Sequence, residues 1–166
     1  MNADAFRHFY EYHFAENRKI WDRYIMQLSD EQFTQHVGYS RGSVRDQILH
    51  LMSCDTAWFS GLRGVDIPED LNPADFPDRE SIRVHWNRVE QTMRGYLAEL
   101  QDEMLFNTPF EGEDKDLIVW QVLLHVANHG TDHRAQLLRQ LNDLGVKTEY
   151  QDYIFHVYEK LYSERS

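Results

Sequence analysis

Three histidines share one stretch of this chain at four-residue intervals: His125, His129 and His133, in the run HVANHGTDHRAQ. In a helix, residues four apart stack on one face. Two imidazoles so placed can close on one divalent metal ion, because their nitrogens project to one point beside the helix. A third nitrogen from another helix would complete a facial three-nitrogen set with open positions for water or substrate. The run is not the zincin motif, since HGTDH lacks the Glu that HExxH supplies as general base. A base would have to come from elsewhere, from the substrate or from a hydroxide on the ion.

The helical wheel separates the three. With an advance of about 100° per residue, the apolar arc of this segment is centred on Val119, Leu123, Val126, Leu137, Leu141 and Leu144. His133 falls inside the arc, His129 about 40° out at its edge, and His125 a further 40° out beside polar residues. His129 and His133 are therefore the inward pair, and His125 is a solvated neighbour. His8, His13, His36, His85 and His156 sit among polar or aromatic residues and receive no role. His50 lies well off the middle of its own apolar stripe, so spacing does not select it.

Other groups bear on such a site. Asp55 lies in the middle of an apolar stripe, where a carboxylate needs a partner. It could orient a ligating imidazole, pair with Arg134, or reach water at a bundle edge. Cys54 reads as a buried, inert thiol rather than a ligand or nucleophile. Asn128 and Gln136 read as surface amides. Trp58, Trp86 and Trp120 read as core residues.

The elements that would carry these groups are long helices. The first spans about Ala3 to Gln27, with Phe9, Tyr12, Ile20 and Tyr24 at helical spacing. A polar stretch, Ser29 to Gly42, follows. The second begins at Ser43, which with Asp46 makes an N-cap pair, and stops near Gly61 to Gly64. Three prolines between Asp66 and Pro77 mark a loop. The third helix spans about Asp78 to Gln101. The segment LFNTPFEGEDKD could hold a short strand or hairpin. The fourth helix spans about Asp116, as N-cap, to Leu144, with Gly145 turning the chain. The tail YQDYIFHVYEKLY reads as a short aromatic helix packing on the rest. The expected fold is all-α: one domain over residues 1–166, a four-helix bundle with a short C-terminal helix.

Composition sets the bounds. The 166 residues carry a net charge of -11, which disfavours nucleic acid and anionic membrane surfaces. The single cysteine rules out an intrachain disulfide. With no signal-peptide core and no apolar run long enough to span a bilayer, a cytoplasmic protein is expected.

Two segments are similar to those of the DinB/YfiT-like family of metal-dependent enzymes. One is GSVRDQILHLMSCDTAWFSGLRG, with a histidine midway and an aromatic pair after it. The other is LLHVANHGTDHRAQLLRQLNDLG followed by YQDYIFHVYE, whose NHxxxHRxQ core is the more specific. The family often has HRGQ where this chain has His133-Arg134-Ala135-Gln136. The resemblance implies an up-down-down-up bundle and a metal held by His50, His129 and His133. It thus supplies His50 and agrees with the wheel on the other two. It also implies one divalent ion, Zn or Ni first and Fe, Mn or Cu next, and a homodimer. Thiol-dependent relatives, bacillithiol S-transferases and mycothiol-dependent maleylpyruvate isomerase, point to a low-molecular-weight thiol and a small electrophilic substrate. A metal-dependent hydrolase is a variant on the same residues. The alternative is a non-catalytic, dimeric metal-binding or stress-response protein.

Overall fold

The computed structural model describes residues 1–163, and among these it contains six α-helices and no strand. The long ones are α1 (Ala3–Arg23), α3 (Val44–Leu62), α4 (Arg79–Glu99) and α5 (Val119–Asp143); the short ones are α2 (Asp30–Thr34) and α6 (Tyr153–Ser163).

Local chemistry sets most of the boundaries. Asn2 caps α1 by accepting the Ala5 N–H at 2.9 Å. Ser43 caps α3, as expected, by accepting the Asp46 N–H at 3.0 Å. Asp78 caps α4 through the Ser81 N–H at 2.8 Å. Each such cap stabilises its helix by about 1 kcal/mol. α1 ends at Arg23, before the expected Gln27, because the chain tightens into a 3-10 turn at Ile25–Gln27. α2 interrupts the stretch expected to be merely polar. Its signal is the box formed by Ser29 and Gln32, each accepting the other's backbone N–H, with Phe33 buried as anchor.

Two expectations for the segment before α5 are corrected. No hairpin forms there: the chain makes 3-10 turns at Glu103–Phe106 and Gly112–Asp114. Pro109 has no N–H to give a ladder, and the buried Leu105 ties the segment to the core. Asp116 is not the N-cap, because residues 112–116 are used up in turns. Ile118 holds that position, and Gln121 Oε1 accepts its N–H at 3.3 Å.

Side-chain contacts fix how the long helices face one another. Arg7 donates to Leu97 O and Leu100 O, Arg94 pairs with Glu11, and Trp21 meets Trp86 at 5.7 Å, so α1 and α4 run antiparallel. Tyr10 Oη donates to Leu123 O at 2.8 Å while His13 and Asn17 meet Arg134, so α1 and α5 run parallel. Gln47 meets His133 and Trp58 meets His125, so α3 and α5 run antiparallel. α3 also packs on α4, with Phe59 against Tyr96. The core between them holds Phe6, Tyr10, Phe14, Ile48, Met52, Phe59, Leu123 and Leu137 essentially without solvent contact. Each buried Leu or Phe contributes roughly 1.5–3 kcal/mol. α6 leans on α1 through Tyr153 and His156, which meet Phe9 and Tyr12. No helix among the described residues is long and apolar enough to cross a membrane.

Candidate metal centre

α3 and α5 cross where each carries histidine. His50 comes from the middle of α3, and His129 and His133 from one face of α5. Each offers a ring nitrogen, and these three atoms lie within 4.8 Å of one another. Ring centroids are 4.2 Å apart for His129 and His133, 4.6 Å for His50 and His133, and 5.3 Å for His50 and His129. His125 stays exposed, as the wheel indicates, with its ring between Trp58 and His129.

The three rings are electrically prepared to coordinate. Burial pushes His50 and His129 down to about 4, and neighbouring positive or imidazole groups add to this. Burial lowers His133 as well. All three are therefore neutral at pH 7, the form in which an imidazole has a lone pair to give an ion. Cys54 Sγ lies 3.6 Å from His50 Nε2. Burial pushes this thiol up to about 11, in keeping with an inert sulfur.

Of the alternatives open for Asp55, a direct pair with Arg134 does not form and the carboxylate does not reach water. It is buried, and its Oδ2 lies 3.9 Å from His13 Nε2 of α1. Arg134 meets the other side of that same ring, donating to His13 Nδ1 at 3.1 Å. A guanidinium only donates, so Nδ1 accepts from Arg134, while Nε2 lies 3.2 Å from Asn17 Nδ2 and 3.9 Å from Asp55 Oδ2. Arg134 also donates to Asn17 Oδ1 and Gln151 Oε1. The carboxylate and guanidinium thus lie on opposite sides of the His13 ring rather than meeting directly. Nor does Asp55 bond to one of the three clustered imidazoles. It acts on them through space, raising His50, His129 and His133 against burial.

One observation bears on whether the site suits an ion. Among the described residues, Asp55 Oδ1 is buried with no hydrogen-bond partner. An orphaned carboxylate oxygen is costly, and a cation held by the adjacent imidazoles would offset its charge. Three neutral nitrogens with a buried carboxylate behind them are a fitting donor set for a divalent ion.

Three participants escape the sequence. His13, assigned no role, is the buried ring just described. Gly130 makes room for it: a Cβ there would lie 2.8 Å from His13 Nδ1 and closer to Cε1. Gln47, fully buried, reaches His133 Nδ1 at 2.5 Å and Gln136 Oε1 at 3.1 Å. Gln136 is thus a member of this network, because it also accepts from Ser40, whereas Asn128 is exposed as expected. Only Trp86 of the three core tryptophans is fully inside; Trp58 and Trp120 are half-buried and line grooves. A buried glutamine one turn before His50 and a glycine between two histidines were the available signals, but neither names its partner.

Comparison with known proteins identifies the family of the chain. Protein DinB of Bacillus subtilis (strain 168) is 25% identical over 167 residues, covering 93% of this chain and 96% of that protein. The model of the DinB family matches residues 1–164. With its three-histidine cluster in an all-helical frame, the chain belongs to the DinB family.

Proposed function

We propose that this protein binds one divalent metal ion through His50, His129 and His133 and acts as a thiol-dependent S-transferase, joining a low-molecular-weight thiol to a small electrophile. The observation that carries the metal is the convergence of three neutral imidazoles within 4.8 Å. A divalent ion supplies Lewis acidity there, lowering the pKa of a thiol or water. Imidazole suits Zn, Ni, Cu and Fe and availability decides among them, so Zn or Ni is the ion proposed first, with Fe, Mn or Cu next.

The chain's own residues do the positioning. Gln47 holds the His133 ring, and Asp55 places negative charge behind the cluster. A groove of about 300 Å³ is lined by Trp58, Leu117, Gln121, Val122 and His125. It joins the cluster through the contact of His125 with His129 and offers the apolar wall that the body of an electrophile needs. The pairwise directions of α1, α3, α4 and α5 support an up-down-down-up four-helix bundle, and the absence of a spanning helix is consistent with a cytoplasmic protein.

A second reading, a non-catalytic dimeric metal-binding protein acting through its surface, draws on α6, where Ile154, Phe155, Tyr158 and Leu161 are exposed. One set of experiments separates the two. Metal analysis should find one ion per chain in the wild type and in His125→Ala, and little in His50→Ala, His129→Ala or His133→Ala. A thiol-transfer assay with a chromogenic aryl halide should then show turnover that is lost with the ion. Equal metal loss in His125→Ala would undo the ligand assignment. A full complement of metal with no turnover across a panel of thiols would leave the second reading, and turnover without thiol would indicate a hydrolase.

A further inference from the structure

Arg41 stands beside the three-imidazole cluster, and the reading above makes no use of it. Its guanidinium contacts His50 Nε2 at 3.0 Å. Its charge also lowers His133 and the Cys54 thiol. The side chain is exposed, yet the turn that carries it is built. Val37 N–H donates to Gly42 O at 2.7 Å, and Gly42 N–H donates to Tyr39 O at 3.2 Å. Gly42 has φ +96°, and a Cβ there would meet the His36 ring at 2.7 Å, so only glycine lets the turn close. Gln47 Oε1 accepts from Ser40 Oγ at 2.7 Å and from Arg41 N–H at 3.4 Å. The nitrogen of that same buried amide touches His133. One side chain therefore sets both a ring of the cluster and the turn that presents Arg41.

A guanidinium is always charged and only donates. His50 accepts it at Nε2, so a neutral His50 carries its proton on Nδ1. That is also the tautomer a ligating Nε2 requires. With this lone pair given to an ion, the Arg41 guanidinium would turn from it and have donors to offer another acceptor. Three neutral imidazoles would offset none of an ion's charge, the single carboxylate of Asp55 behind them would offset part of it, and Arg41 would add to what is left. An anion seated between an ion and the guanidinium would relieve the repulsion of these two positive groups. The planar fork of a guanidinium matches a carboxylate in bidentate fashion.

We propose that Arg41 is the anion-recognition residue of this site and that the class of ligand it selects is a small carboxylate, held between the guanidinium and the ion. The proposal rests on the three-imidazole metal reading and narrows its substrates to molecules with a carboxylate close to the reacting group.

The test uses the full chain loaded with Co(II), whose visible spectrum reports its ligands. Succinate is the probe and succinamide its neutral control, at constant ionic strength. Wild type, Arg41→Gln and Arg41→Lys should take up Co(II) equally. Succinate should perturb the wild-type spectrum at concentrations about tenfold or more below those needed for Arg41→Gln, with Arg41→Lys between them and succinamide silent. Equal succinate affinity in metal-loaded wild type and Arg41→Gln overturns this proposal and leaves the metal reading intact. A wild type that takes up no Co(II) overturns the metal reading, and this proposal with it.

Discussion

Gly130→Ala tests the junction of α1 and α5 beside the cluster. A methyl at this position meets the His13 ring below 3 Å and Arg134 Nη1 at 3.1 Å. His13 and Arg134 are each 1% exposed, so neither can swing out to solvent. Overpacking of this kind costs about 1–3 kcal/mol. Displacing the ring also breaks its bond to the Arg134 guanidinium, about 1.5–3 kcal/mol for a charged partner. Against this, alanine gains about 1 kcal/mol of helix propensity over glycine. The net is roughly 3 kcal/mol of destabilisation, and for a chain of this size each kcal/mol lowers Tm by about 2–4 °C, so a drop of about 6–12 °C is expected. Gly95→Ala is the control. Gly95 is an exposed position of α4 with nothing near its would-be Cβ, and the same change should stabilise by up to about 1 kcal/mol. Thermal and urea unfolding of metal-free protein reads both. In a His13→Ala background the added methyl has room, and Gly130→Ala should then be neutral or stabilising. A stable Gly130→Ala single variant, or an undiminished penalty without the His13 ring, would refute the assignment of the close packing to His13.

Two further outcomes are expected. Metal removal by a chelator should leave far-UV circular dichroism unchanged, because the core is large without the ion; unfolding on chelation would contradict this. Stability of the metal-free protein should fall as pH drops from about 6.5 toward about 4. His50 and His129 are held down to about 4, and His133 and His13 are lowered too, all chiefly by burial. The unfolded chain, with histidines near 6.5, binds more protons across that window, so stability rises with pH there. Partial solvent exposure of the clustered rings trims the size but not the sign. Urea midpoints at pH 7 and pH 5 check it, and an unchanged or higher midpoint at pH 5 would contradict it.

The long helices and the α5 pair were legible because both depend on spacing along one element. His129 and His133 lie on one face whatever surrounds them. His50 was not legible from its wheel for a physical reason. α3 packs on both α4 and α5, so its apolar arc is broad, and a group aimed at α5 sits at the arc's margin rather than its middle. Only the resemblance to a known family brought His50 in. Asp55 was recognised as needing company, but its neighbour His13 belongs to α1, and no local pattern names a partner that distant. The same holds for Gln47, whose contacts reach Ser40 on one side and His133 on the other. Polar residues buried by long-range contact look like surface residues in a sequence.

All three clustered imidazoles belong to α3 and α5, the two helices joined by the prolines, α4 and the turns that follow. An occupied site would therefore act as a removable rivet across one seam, closing a long loop of chain in a single step. Amide exchange should slow along α3 and α5 on loading while α4 keeps its pace. The rest of the fold could then tolerate drift in sequence that the riveted seam could not.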